Sequence, residues 1–121
     1  MGKAPVKTQL EMPPDAFYAE LERLAGEFRA AYEKAGLPEL YVLAVDEPLP
    51  NELEYVKRIY RALKNAGLKT FITTCPFRKE IEEYVDVWVD QRFDPLEAVR
   101  NSPKAEFWCY PNHNVYELRN T

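Results

Sequence analysis

Asp46 and Glu47 are adjacent carboxylates that directly follow the apolar run of residues 41–45, and Pro48 comes straight after them. An unbroken apolar run of that length suits a strand buried on both faces of a parallel sheet. In open α/β sheets and β/α barrels, ligands bind at the C-terminal ends of the strands. Two carboxylates at such an end can supply a general acid and a helper that steadies charge beside it. The same three residues also make an ordinary solvated turn, stiffened by the fixed φ of proline. The pair alone does not separate these two readings.

The second set of candidates is aromatic. Residues 85–90 read Val-Asp-Val-Trp-Val-Asp. That alternation predicts Val85, Val87 and Val89 on a face toward a helix layer, with Asp86, Trp88 and Asp90 on the other. Trp108 and Tyr110 share a face of a later stretch in the same way. An indole or phenol on a strand face offers a flat apolar surface against which a sugar ring can lie, although filling a core is the commoner fate of these side chains. His113, the only histidine, falls just beyond Tyr110. It is either a ligand contact or an exposed loop side chain. Cys75, Cys109, His113 and Asp46 are the conceivable metal ligands, but they contain no Cys-x-x-Cys or His-x-x-x-His pair. Neither a metal nor another cofactor is expected, and no glycine-rich phosphate loop follows any strand.

These residues need elements to hold them. Residues 1–13 show no period and read as an extended lead-in. Asp15 is placed to cap a helix whose apolar positions, among them Phe17, Leu21, Leu24 and Phe28, fall three and four apart on one stripe, with Gly36 as its stop. Residues 40–45 form the first strand. Asn51 and Glu54 resemble a capping box for a second helix with Val56, Ile59, Leu63 and Ala66 inward, closed by Gly67. Residues 69–74 are the second strand, Pro76 opens a short helix through Tyr84, residues 85–90 are the third strand, Asp94 caps another short helix, and residues 105–110 are the fourth strand. Alternating helices and strands predict an α/β fold with parallel strands in one domain spanning 1–121.

Composition sets the outer limits. The 121 residues carry a formal charge of −4, which argues against nucleic acid or an anionic membrane as the main partner. No apolar run approaches the roughly 20 residues that span a bilayer. The first residues lack the apolar segment of a signal peptide, and two cysteines make no disulfide framework, so a cytoplasmic protein with reduced thiols is expected.

The series of a strand ending in Asp46-Glu47-Pro48, then residues 69–74 (Lys-Thr-Phe-Ile-Thr-Thr), 85–89 (Val-Asp-Val-Trp-Val) and 107–110 (Phe-Trp-Cys-Tyr), resembles the catalytic barrel of glycoside hydrolase family 123, the β-N-acetylgalactosaminidases. The likeness covers residues 40–118 and matches the fourth to seventh strands of that barrel. It implies a partial (β/α) barrel, with a β-linked N-acetylhexosaminide as substrate and a retaining mechanism assisted by the substrate's 2-acetamido group. By the same resemblance Glu47 is the general acid/base. Asp46 orients the acetamido nitrogen, and Trp88, Trp108, Tyr110 and His113 are candidate sugar contacts. A general acid of this kind calls for a raised pKa, which burial beside ionised Asp46 would supply. A complete barrel has eight strands and this chain supplies four. Open sheet edges are therefore expected to favour self-association, and a non-catalytic carbohydrate-binding or interaction domain, or a small open flavodoxin-like sheet, are the rival readings.

Overall fold

A computed structural model describes residues 12–73, 78–90, 100 and 105–109. It is mixed α/β, with helix α1 (Asp15–Lys34), strand β1 (Tyr41–Asp46), helix α2 (Leu53–Asn65), strands β2 (Lys69–Thr73), β3 (Val87–Asp90) and β4 (Glu106–Cys109), and 3-10 turns at Pro50–Glu52 and Lys79–Tyr84. All strand pairs are parallel and the order is β1-β2-β3-β4. A flavodoxin-like sheet reverses strand order at a switch point. Among the described strands the order is sequential, with no such reversal. Cys75, Tyr110, His113, the helix expected from Asp94 and most of the lead-in lie outside the described residues.

Helix α2 forms because Val56, Ile59, Tyr60 and Leu63 recur at helical spacing, and all four are buried. Its start differs from the expected cap. Pro50 opens a 3-10 turn, where its missing N–H costs nothing, and Glu52 rather than Glu54 reaches back to accept the Leu49 amide at 3.1 Å. Its end is a Schellman motif, in which the Leu68 amide donates to Leu63 O at 3.1 Å and the Gly67 amide to Lys64 O at 2.9 Å. Gly67 sits at φ +87°, and a Cβ there would meet the Arg29 guanidinium at 2.8 Å.

The described helices pack on one face of the sheet. Val56, Tyr60 and Ile81 meet Ile72 and Trp88 there, with Val45 and Phe107 at the margin. Tyr18 and Ala25 of α1 meet Ile59, Leu63 and Leu68, with Val42 against them. Helix α1 thus rests mainly on α2, and this changes which of its residues are inside. Phe17, Leu24 and Phe28, expected to be buried, are 42%, 49% and 48% exposed, while Tyr18 and Ala25 are the buried positions. The apolar arc of α1 is wider than its contact, so one margin faces outward. Asp15, expected as a side-chain cap, is the first helical residue and binds Arg58 of α2 at 2.6 Å.

The third strand also departs from expectation, and the reason is local. Asp86 lies in a bend before β3, where its Oδ2 accepts the Thr70 amide at 2.8 Å and its two oxygens take Lys64 Nζ at 2.8 and 2.9 Å. The strand therefore starts at Val87, and its register pairs Trp88 with Ile72 and Val87 with Phe71. Trp88 consequently faces the helices, 2% exposed among Val56, Tyr60 and Ile81. The expected placing of Trp88 and Asp86 on the face away from the helices is corrected: one is core, and the other ties the starts of β2 and β3 to α2.

Candidate functional site

The site is built at the C-terminal end of β1, where the strand is irregular. Leu43 pairs with Phe71 and Asp46 with Thr73, so three steps along β1 match two along β2. The extra residue makes a bulge, which is rare between parallel strands and common beside functional sites. It turns Val45 toward the helix layer, where Val42 also packs, and leaves Asp46 beside Thr73 on the opposite face.

Tyr60 of α2 fills the gap that the bulge opens. Its side chain is fully buried, and its hydroxyl donates to Phe71 O at 2.7 Å while lying 3.4 Å from the amide nitrogens of both Ala44 and Val45. Backbone groups left unpaired by a bulge need such a partner when water cannot reach them. The sequence reading missed this role, because Tyr60 fell beside the expected stripe of Val56, Ile59, Leu63 and Ala66. A tyrosine at that helix position, one turn from Val56, carries the only hint. Tyr60→Phe is expected to lower stability by about 1–3 kcal/mol, because the ring still packs while the partly buried Phe71 carbonyl and the amides beside the bulge lose a partner. Urea denaturation checks this, and a cost below about 0.5 kcal/mol would show that the hydroxyl does not hold the bulge.

Beyond the bulge, Thr73 joins the two carboxylate residues. Its Oγ1 hydrogen-bonds Asp46 Oδ1 and lies 3.4 Å from the Glu47 amide, a long contact. Glu47 has φ 46°, in the left-handed region that only glycine enters freely. The residue before a proline is normally extended, so Glu47 is strained on two counts. Thr73 was read only as a strand residue, yet it is what locks Asp46 and Glu47 in one arrangement. Both carboxylate residues are exposed, so the burial expected around Glu47 is not met.

Register then sets the remaining residues. Asp46, Thr73, Val89 and Trp108 form one row across the four strands. Trp108 is 43% exposed on the face away from the helices. Its indole does not stand over the carboxylates, however. Its Nε1 donates to Glu106 Oε1 at 2.8 Å, and its ring meets that of Tyr41, at the start of β1, with 5.5 Å between centroids. Tyr41 and Trp108 sit on opposite corners of the sheet. The normal twist lifts two diagonal corners toward the same face, so these rings converge above β2 and β3. Val87, in the row of Phe71 and Glu106 between them, is fully buried. The face is partly roofed by these two aromatic rings.

The structure thus brings Asp46, Glu47 and Thr73 together, sets Trp108 in their row with its ring tilted toward the strand starts, and removes Trp88 to the core. Tyr110 and His113 lie outside the described residues. Among the described residues no group of three or more His, Cys, Asp or Glu is placed to hold a metal ion, and no helix is long and apolar enough to cross a membrane. Fold and site define an all-parallel β/α unit with an acidic, strained strand end. Neither a scan against models of protein families nor a search of curated proteins finds a match to this chain.

Proposed function

We propose that this chain is a glycosidase-like segment of a (β/α) barrel whose strand end at Asp46 and Glu47 binds β-linked N-acetylhexosaminides. The observation that supports this best is the strained backbone of Glu47, directly before Pro48 and held through Thr73. Strain in a non-glycine residue persists only when its surroundings over-determine it, and it collects at ligand and catalytic sites. In this reading Asp46 accepts the acetamido N–H and Glu47 exchanges the proton of the glycosidic oxygen. The nucleophile belongs to the substrate, so no second carboxylate is needed across the ring. Trp108 and Tyr41 supply an apolar wall below the acidic end.

A second reading is a carbohydrate-binding domain without turnover, and the exposure of both carboxylate residues favours it. The four described strands by themselves leave a pocket without its other walls, and loose positioning by about 1 Å can cost on the order of 100-fold in rate. The test combines a titration with methyl β-N-acetylgalactosaminide, read by tryptophan fluorescence, and release of chromophore from an aryl β-N-acetylhexosaminide. Saturable binding with turnover far below the roughly 10 s⁻¹ of ordinary enzymes is expected. Binding with no turnover would leave the second reading. Absence of both would overturn the carbohydrate assignment.

A further inference from the structure

The outward margin of α1 is the largest feature that the proposed site does not use. Phe17, Leu24 and Phe28 are each 42–49% exposed there. At 100° per residue they fall within a narrow stripe that also takes in Ala31 and Ala35, both exposed. At about 200 Å² per fully exposed large side chain, the three leave on the order of 300 Å² of apolar surface on one helix face. Scattered apolar side chains call for no explanation, but a continuous stripe along a helix about 30 Å long does.

The stripe is complementary to itself when run antiparallel. Turned about a two-fold axis near Gly26, Leu24 of one copy lies opposite Phe28 of the other, and Phe17 lies opposite Ala35. Large side chains then meet small ones at both ends, which is what lets helix axes approach to 8–10 Å. The flank agrees in charge. Glu20, Glu27 and Lys34 line the border of the stripe at steps of seven. Arg23 bridges the acidic pair, reaching Glu20 at 2.5 Å and Glu27 at 2.6 Å, which leaves that end of the flank net negative, while Lys34 has no ion-pair partner among the described residues. The antiparallel arrangement sets Lys34 beside Glu20 of the second copy, twice over by symmetry. Two such stripes bring on the order of 600 Å² of apolar surface together, and their alanines and charged flanks add to it, which places the contact at the small, weakly associating end of interfaces. We infer that the chain associates into a two-fold dimer through antiparallel α1 helices. The occupant of the stripe is a second copy of this chain, and the sheet edges take no part.

Sedimentation equilibrium of the full chain between about 1 and 200 μM tests this, since a small interface should give a dissociation constant in the micromolar range. Leu24→Glu places an unpaired carboxylate in the centre of the stripe and should weaken the dimer by about 100-fold or more. Leu24 is half exposed, so the fold should survive, as circular dichroism would show. The charge swap keeps the test decisive even if that variant misfolds. Lys34→Glu alone should weaken association about 3- to 10-fold, and adding Glu20→Lys in the same chain should restore it. A chain that stays monomeric at 200 μM overturns the inference. So does a dimer that Leu24→Glu and the charge swap leave unchanged, because its interface would then lie elsewhere, such as along β1 or β4.

Discussion

Trp88→Ala is expected to cost this protein about 3–5 kcal/mol, the range for truncating a fully packed aromatic side chain. Trp108→Ala is expected to cost about 1 kcal/mol or less, as for other surface positions. The contrast follows from register alone. Trp88 pairs with Ile72 and packs with Val56, Tyr60 and Ile81 on the helix side, so its removal leaves a cavity in the main core. Trp108 lies one residue beyond the Trp88 row, on the neighbouring strand β4 and on the other face, where it makes a tilted ring contact with Tyr41 and a hydrogen bond to Glu106. Urea denaturation of the two variants measures both terms. These are the only two tryptophans. Each single variant therefore also isolates the other's fluorescence: acrylamide should quench Trp108 readily and Trp88 hardly at all. Equal stability losses would mean that the register of β3 is wrong.

That contrast also shows which parts of the fold were open to reading. The order of the described strands and helices was legible because each strand is a short apolar run and the breaks carry Gly36, Gly67 or a proline. Facing was less so. Residues 85–90 alternate cleanly, and the polar face looked like the one with two aspartates. Asp86 is not in the strand, however, because its carboxylate is taken by the Thr70 amide and Lys64. A long-range hydrogen bond from β2 thus decided where β3 begins, and no local pattern could reveal it. Helix α1 failed differently. Its apolar arc was correctly located, but which margin touches α2 depends on how the helix sits, and the stripe contains no signal for that.

The acidic strand end was partly legible. Asp46, Glu47 and Pro48 stood out by type and position, and the run before them was correctly a strand. The bulge was not legible, since Leu43-Ala44-Val45 continues the apolar pattern without a glycine or polar break. It exists because Tyr60, sixteen residues away along the chain, supplies the partner for the Ala44 amide. Sites built this way are divided between a local motif that composition exposes and a remote plug that only packing reveals. The same division explains Thr73, whose hydroxyl is indistinguishable in sequence from that of Thr70. One binds Asp46 at the C-terminal end of β2, while the other is fully buried and donates to Tyr84 O at 2.6 Å.

Glu47→Gln is expected to lower turnover of a β-N-acetylhexosaminide by about 10²- to 10⁴-fold, the range for losing one general acid, while changing sugar affinity by no more than about 3-fold. Glutamine keeps the shape and the left-handed backbone of residue 47, so the arrangement through Thr73 and the Glu47 amide survives. What it loses is the transferable proton. The size of the loss should therefore follow the leaving group. With a dinitrophenyl aglycone, which departs without protonation, the deficit should shrink to about 10-fold or less, and with a methyl or sugar aglycone it should be full. Asp46→Asn should behave differently. Its proposed work is on the charged intermediate, so the deficit should persist whatever the aglycone. Glu47 is exposed in this chain, so a low wild-type rate is expected and the leaving-group comparison is the more sensitive measure. Single-turnover assays across aglycones of graded acidity give both slopes. An unchanged rate in Glu47→Gln, or a deficit independent of the aglycone, would take Glu47 out of the role of acid.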